Sequence, residues 1–431
     1  MANRLDFQSV NFANEFDALI KCKRESNSNL QDEVGAIIGE VRARGDAALL
    51  EFTSKFDNLD LKNVADLAVS RAEVNAALDG LDKDLRSALE LAAERIRSFH
   101  EKQLPHDFSY QDEVGVKLGI RYTPVDAAGL YVPGGKAAYP SSVLMNAVPA
   151  MVAGVSRCVM VVPARGGVLN PMVLAAAALV GVNEIWRIGG AQAVAALAYG
   201  TQTIHSVDKI VGPGNAFVAE AKRQVFGQVG IDSIAGPSEI LVVADAQNDP
   251  VWIATDLLAQ AEHDEAAQSI LITDDAKFAD QVASAVDHML PTLERADVAT
   301  RSWADNGLII IVPSMDDMPA LANRIAAEHL ELALEDAPSW SQKIRHAGAI
   351  FLGRYTPEAI GDYVAGPNHV LPTARTARFS SGLGVADFMK RTTTVACDVD
   401  GFAAIAPSAV KLADAEGLGA HASSMRIRMN R

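Results

Sequence analysis

The chain has 431 residues, a formal net charge of -16, 49% apolar residues and 21% charged ones. A chain of this length exceeds the size at which one core keeps growing, so two or more domains of ordinary globular composition are expected. The acidic balance excludes a phosphate-gripping nucleic-acid surface, which needs clustered Lys and Arg; the short basic runs Lys21-Cys22-Lys23-Arg24 and Arg375 to Arg378 read as solvated faces or local contacts.

The N-terminus, Met1 to Phe7, has no apolar core of signal-peptide length, and no apolar run approaches the ~20 residues of a membrane span. A cytoplasmic protein is expected. Cys22, Cys158 and Cys397 are too few and too dispersed for a disulfide framework or a Cys-based zinc site, and each reads as a free thiol. From about residue 30 to 118 the pattern is mainly helical. Ser70 to Glu73 reads as a capping box, and Asp82 to Lys102 carries apolar residues at helical spacing.

From Gly129 the texture changes. Strands are expected at Gly129 to Val132, Cys158 to Pro163, Glu184 to Ile188 and Lys209 to Val211. Helices are expected between them at Ser141 to Val152, Pro171 to Val180, Ala191 to Tyr199 and, after the last, Ala216 to Val225. A second block repeats the rhythm with strands at Glu239 to Ala244, Ser269 to Thr273, Leu308 to Val312 and Ala349 to Leu352, and helices from Pro250, Asp275 and Asp317. Such alternation implies βαβ units and buried parallel sheets in two α/β domains.

Three Gly-rich loops fall at strand ends of the first block: Tyr131 to Lys136, Gly189 to Gln192 and Gly212 to Asn215. Glycine there lets backbone amides approach a phosphate, although tight turns alone would use the same residues. No complete Gly-x-Gly-x-x-Gly fingerprint is present; Gly212 to Phe217 and Gly382 to Asp387 both stop short of it.

The residues from 260 to 421 include a scattered set with zinc-site chemistry: Gln260, His263, Asp362 and His421. Asp249-Pro250 is a good helix start, and residues three apart on that helix differ by roughly 60° in direction, so Gln260 and His263 share a face. Taken singly, each of the four also reads as an ordinary polar or surface residue. Glu328-His329 lies between them in an apolar setting, where pKa values move toward neutrality and suit proton removal from an alcohol or water. A helix-terminal acid with a capping histidine is the plainer alternative.

The segments Gly129-Leu-Tyr-Val-Pro-Gly-Gly, Tyr139 to Asn146, Gly189 to Ala193, Lys209 to Ala216, Ala235 to Glu239, Asp256 to Asp264, Ala327 to Glu331, Gly361-Asp-Tyr, Asn368 to Thr373 and Ala415 to Leu418 run in one order over almost the whole chain. In these segments the sequence closely resembles the histidinol dehydrogenase family. One departure is Gly366-Pro367-Asn368-His369, where Gly-Cys or Gly-Thr precedes the Asn in many relatives.

The resemblance implies oxidation of L-histidinol through L-histidinal to L-histidine, with two NAD molecules in succession and one zinc per subunit. It places the zinc ligands on Gln260, His263, Asp362 and His421 and the catalytic pair on Glu328 and His329. Substrate contacts fall on Ser238, Gln260, His263, His329, Asp362, Glu416 and His421, and NAD contacts on Tyr131, Gln192 and Asn215. It also implies two Rossmann-like α/β domains in an intertwined homodimer with shared active sites. The expected division is an N-terminal arm over 1–21, a first domain from 22–130 and 239–380 holding metal and catalytic residues, an NAD-binding domain over 131–238, and a segment over 381–431 completing the partner's site. A related zinc and NAD alcohol dehydrogenase acting on another diol or amino alcohol, a zinc hydrolase and a non-catalytic binding protein are the competing readings.

Overall fold

The computed structural model describes residues 2–21, 28–134 and 139–429. Cys22 and the basic run around it, and Lys136 at the end of the first Gly-rich loop, lie outside the described residues.

Two parallel sheets organise the chain. The five-stranded sheet runs, edge to edge, Glu184–Trp186, Arg157–Val161, Ala127–Tyr131, Lys209–Val211, Gly230–Ile231. The six-stranded sheet runs Asn3–Asp6, Leu308–Ile311, Gln268–Thr273, Glu239–Ala244, His329–Ala333, Ala349–Leu352. In each, the chain starts mid-sheet, winds to one edge, then returns to build the other side, which is the doubly wound pattern. The stretch expected as an N-terminal arm, 1–21, contains an added edge strand, Asn3 pairing opposite Leu308, and helix Phe12–Lys21.

Both sheets are covered on both faces, as near-continuous apolar strands require. Leu241 and Val243 enter one cluster while Ile240, Val242 and Ala244 enter another, following the two-residue alternation of a strand. The N-terminal helices cover the five-stranded sheet: Val34, Ile37, Val41 and Leu49 join the cluster around helix Gly190–Tyr199, and Val74, Leu89 and Ile96 pack with helix Pro140–Ala153. Packing therefore groups the helices between 28 and 101 with the five-stranded sheet, where the sequence reading grouped 22–130 with 239–380.

Helix starts follow their local chemistry. The Asp249 carboxylate accepts from the Val251 N–H at 2.8 Å, with Pro250 at the first helical position. Ser70 Oγ accepts from the Glu73 N–H at 3.2 Å, and the Glu73 carboxylate pairs with Arg187.

Among the described residues, six strands fall outside the elements read from sequence: Asn3–Asp6, Gly230–Ile231 and the four that follow. Phe108–Gln111 and Lys117–Pro124 form an antiparallel sheet with Met389–Ala396. His329–Ala333 is a central, fully buried strand whose His and Glu interrupt the apolar run that would mark it. Among the described residues no helix is long and apolar enough to cross a membrane.

Candidate active site

Strands Glu239–Ala244 and His329–Ala333 lie side by side with His329 opposite Ile240, so Ser238 and Glu328 stand together at their amino ends. The Glu239 N–H donates to Glu328 Oε2 at 2.9 Å. Glu328 is buried, and burial pushes its pKa up to about 8 against the opposing pull of His329 and of that N–H. An acid with this pKa exchanges protons efficiently near neutrality.

His329 is held through one nitrogen. Its Nδ1 lies 3.1 Å from the Glu239 carbonyl oxygen and 3.2 Å from Glu358 Oε2, and 3.8 Å from Glu328 Oε2. A carbonyl can only accept, so Nδ1 carries the proton. Nε2 is left as the basic nitrogen, buried and without a protein partner.

Helix Pro250–Ala261 runs back against the sheet and delivers its last turn to the same amino ends. Gln260, in that turn, is fully buried, and neither Oε1 nor Nε2 has a hydrogen-bond partner. His263 follows the helix end, its N–H donating to the Gln260 carbonyl at 3.1 Å. Burial lowers the His263 pKa against the opposing charge of Asp362, although one edge of the residue stays open to solvent. Donor atoms of His263, Glu358 and Asp362 lie within 4.8 Å of one another. An unpaired buried amide costs about 1–3 kcal/mol, and an amide oxygen, an imidazole nitrogen and carboxylate oxygens are a donor set that suits zinc. The residues present fit a metal.

Glu358 and His369 were not assigned from the sequence. Glu358 opens the short helix Glu358–Tyr363, four residues before Asp362, and burial raises its pKa well above the carboxylate range. Its signal was an acid one helical turn from a candidate ligand. His369 Nδ1 lies 3.0 Å from the Asp362 carbonyl and backs that residue. Glu416 and His421 stand apart: both are exposed, Glu416 in the turn between the two C-terminal helices and His421 on the last of them, and His421 is not in the donor cluster among the described residues.

The Gly-rich loops lie at the carboxyl ends of the five-stranded sheet, around a cavity of about 410 Å³ lined in part by Tyr131, Pro163, Gly190, Gln192 and Asn215. Its centre is the switch point between strands Ala127–Tyr131 and Lys209–Val211. The Tyr131 hydroxyl accepts from the Gly190 N–H at 3.0 Å, and Asn215 caps helix Ala216–Val225 by accepting from the Val218 N–H at 3.2 Å. Gly212 has φ +110°, and a Cβ there would lie 2.1 Å from the Tyr131 carbonyl, so only glycine fits. Lys222 and Asp232, both buried, bind the Gly212 carbonyl and N–H respectively, and pair with each other. The two regions meet where Asn368 Nδ2 donates to the Met145 carbonyl at 2.6 Å.

Burial pushes the Cys158 thiol up to about 11, so it is no thiolate at neutral pH, and Cys397 is exposed and free.

The model of the family described as histidinol dehydrogenase matches residues 20–429. Histidinol dehydrogenase of Rhodospirillum rubrum is 63% identical over 432 residues, covering 100% of this chain and 99% of the relative. That of Rhizobium meliloti is 60% identical over 430 residues with the same coverage. The crystal structure of histidinol dehydrogenase from Elizabethkingia anophelis superposes with a TM-score of 0.94 at 35% identity, over 100% of this chain and 98% of that one.

Proposed function

This chain belongs to the histidinol dehydrogenase family, and from that premise we propose that it oxidises L-histidinol through L-histidinal to L-histidine with zinc and two successive NAD molecules. The observation that carries the reading is the pair of partnerless buried groups, His329 Nε2 and the Gln260 amide, at the amino ends of one sheet.

Zinc held by Gln260, His263 and Asp362, with His421 of the partner subunit, would fix the amine and imidazole nitrogens of the substrate. NAD in the cavity between the Gly-rich loops, touching Tyr131, Gln192 and Asn215, supplies the hydride acceptor. His329 Nε2 removes the hydroxyl proton as hydride leaves the carbinol carbon, which yields the aldehyde. Glu328 then takes a proton from the water that adds to the aldehyde carbon while His329 returns its proton to the carbonyl oxygen, and the freed Nε2 takes a proton of the resulting diol as the second hydride leaves. Ser238 and Glu416 complete the substrate contacts.

We place the second copy in an intertwined homodimer because the tail exposes apolar side chains along its length, among them Val399, Leu412 and Ile427. Purified protein should form NADH with histidinol and not hydrolyse acyl or phosphoryl esters. No NADH with histidinol, but turnover of another amino alcohol, would move the substrate. For the shared site, inactive Gln260→Ala and His421→Ala chains are refolded together. One site of each mixed dimer collects both defects and the other neither, so about a quarter of wild-type activity should return. Recovery no greater than that of the separate variants would refute sharing.

A further inference from the structure

The cavity between the Gly-rich loops contains one group that the reaction above leaves unused. Asp57 is the last residue of helix Asp46–Asp57, is only 9% exposed, and lines that cavity. Its Oδ2 is buried and has no hydrogen-bond partner. A buried carboxylate oxygen left unpaired is costly, and native structures keep such groups only where something completes them. The other side chains around it describe what that is. Phe56 and Phe217, both partly exposed, and Ile37 line the same cavity and offer apolar faces to a flat ring. Arg165 lines it too; burial raises the Asp57 pKa, and the positive charge of Arg165 opposes that rise.

We propose that Asp57 is a specificity-determining residue that accepts the hydroxyls of the adenosine ribose, with the adenine against Phe56 and Phe217, and so selects NAD over its 2′-phosphorylated form. The assignment rests on the reading of this cavity as the dinucleotide site. A carboxylate is an acceptor only, and a ribose presents two adjacent hydroxyl donors, so the pair satisfies both partners; doubly wound folds commonly solve the same problem with an acid at this ring. A 2′-phosphate would bring further negative charge against a desolvated anion and offer no donor in place of the hydroxyl. The placement on the adenosine side follows from the neighbours. Ile37, Phe56 and Asp57 come from the N-terminal helices packed outside the five-stranded sheet, whereas the nicotinamide must reach His329 on the other sheet.

The test measures binding by calorimetry on the zinc-loaded protein, with no turnover involved. Wild-type protein should bind NAD at least about 10-fold tighter than the 2′-deoxyadenosine analogue and about 100-fold tighter than NADP, the range expected for a charge-assisted hydrogen bond and for its replacement by repulsion. Asp57→Asn should weaken NAD about 10-fold, weaken the 2′-deoxy analogue, which keeps only the 3′-hydroxyl, clearly less, and narrow the gap to NADP. Equal weakening of NAD and the deoxy analogue would mark Asp57 as merely structural and overturn the assignment, as would equal wild-type affinity for the two. Gln192→Ala separates the layers. If it weakens NAD and Asp57→Asn does not, the role of Asp57 falls and the cavity stands; if neither changes NAD binding, the reading of the cavity falls with it.

Discussion

The two parallel sheets share a strand order and use opposite ends of it. In the five-stranded sheet the Gly-rich loops sit at the carboxyl ends, where helices Gly190–Tyr199 and Ala216–Val225 begin. In the six-stranded sheet the titratable cluster sits at the amino ends, where helix Pro250–Ala261 finishes. The helix dipole explains the split: helix starts offer N–H groups and positive potential to an anion such as a pyrophosphate, and helix ends offer negative potential to a cation. Gln260 and His263 lie at such an end. The carboxyl-end crevice of the six-stranded sheet is meanwhile filled. Asn248 donates to the Ala333 carbonyl at 2.8 Å and Arg354 grips Asp245 at 2.9 and 3.0 Å across it. One topology thus supplies an anion site and a cation site, according to which end is left open.

The strongest way to break this division is to remove the cation. Chelation, or Gln260→Ala, should abolish turnover while calorimetry still shows NAD binding, because Tyr131, Gln192 and Asn215 belong to the other sheet. Full activity in zinc-free protein would end the assignment. Next in size is Glu328→Gln. Rapid-mixing measurements should show histidinal oxidation slowed about 10²–10⁴-fold, with the alcohol step much less affected. In the wild type that half-reaction should gain rate as pH rises through about 8, where Glu328 ionises; equal loss in both steps would refute the division of labour.

On the anion side, Gly212→Ala should lower NAD affinity about 10-fold or more, since a Cβ at φ +110° is strained by on the order of 1–3 kcal/mol. Metal analysis should show zinc retained. Loss of both ligands together would mean that the two sheets do not act separately. The smallest effect is on stability. The folded-state pKa of Glu328 is raised from 4.5 to about 8, so its contribution is fully present below pH 4.5 and is lost as pH rises through 8. Glu328→Gln should therefore melt like wild type near pH 4.5 and become more stable than wild type above pH 8. A variant less stable at every pH would contradict a desolvated carboxylate.

The sequence showed the parallel strands well, because Glu239–Ala244 and Lys209–Val211 are apolar runs bounded by turn residues and their registers need no partner to be guessed. It hid His329–Ala333, where His329 and Glu331 interrupt the apolar run that announces a strand. Gln260 and His263 were legible together because they are local. Glu358 was not, since its importance comes from lying 3.2 Å from His329 across the fold. Asp57 was hidden for the same reason: burial without a partner is a property of packing, and no spacing encodes it.

The edge strand Asn3–Asp6 sets an order of events during synthesis. The five-stranded sheet and the helices covering it are drawn from one continuous stretch, 28 to 231, and can assemble as soon as that stretch has left the ribosome. Asn3–Asp6 pairs with Leu308–Ile311, so this strand waits, unpaired, for residues emitted some three hundred positions later. A nascent chain stalled near residue 240 should thus present a protease-resistant lobe around the five-stranded sheet with Asn3–Asp6 still unpaired, and the six-stranded sheet should close only after residues 308–311 have been made.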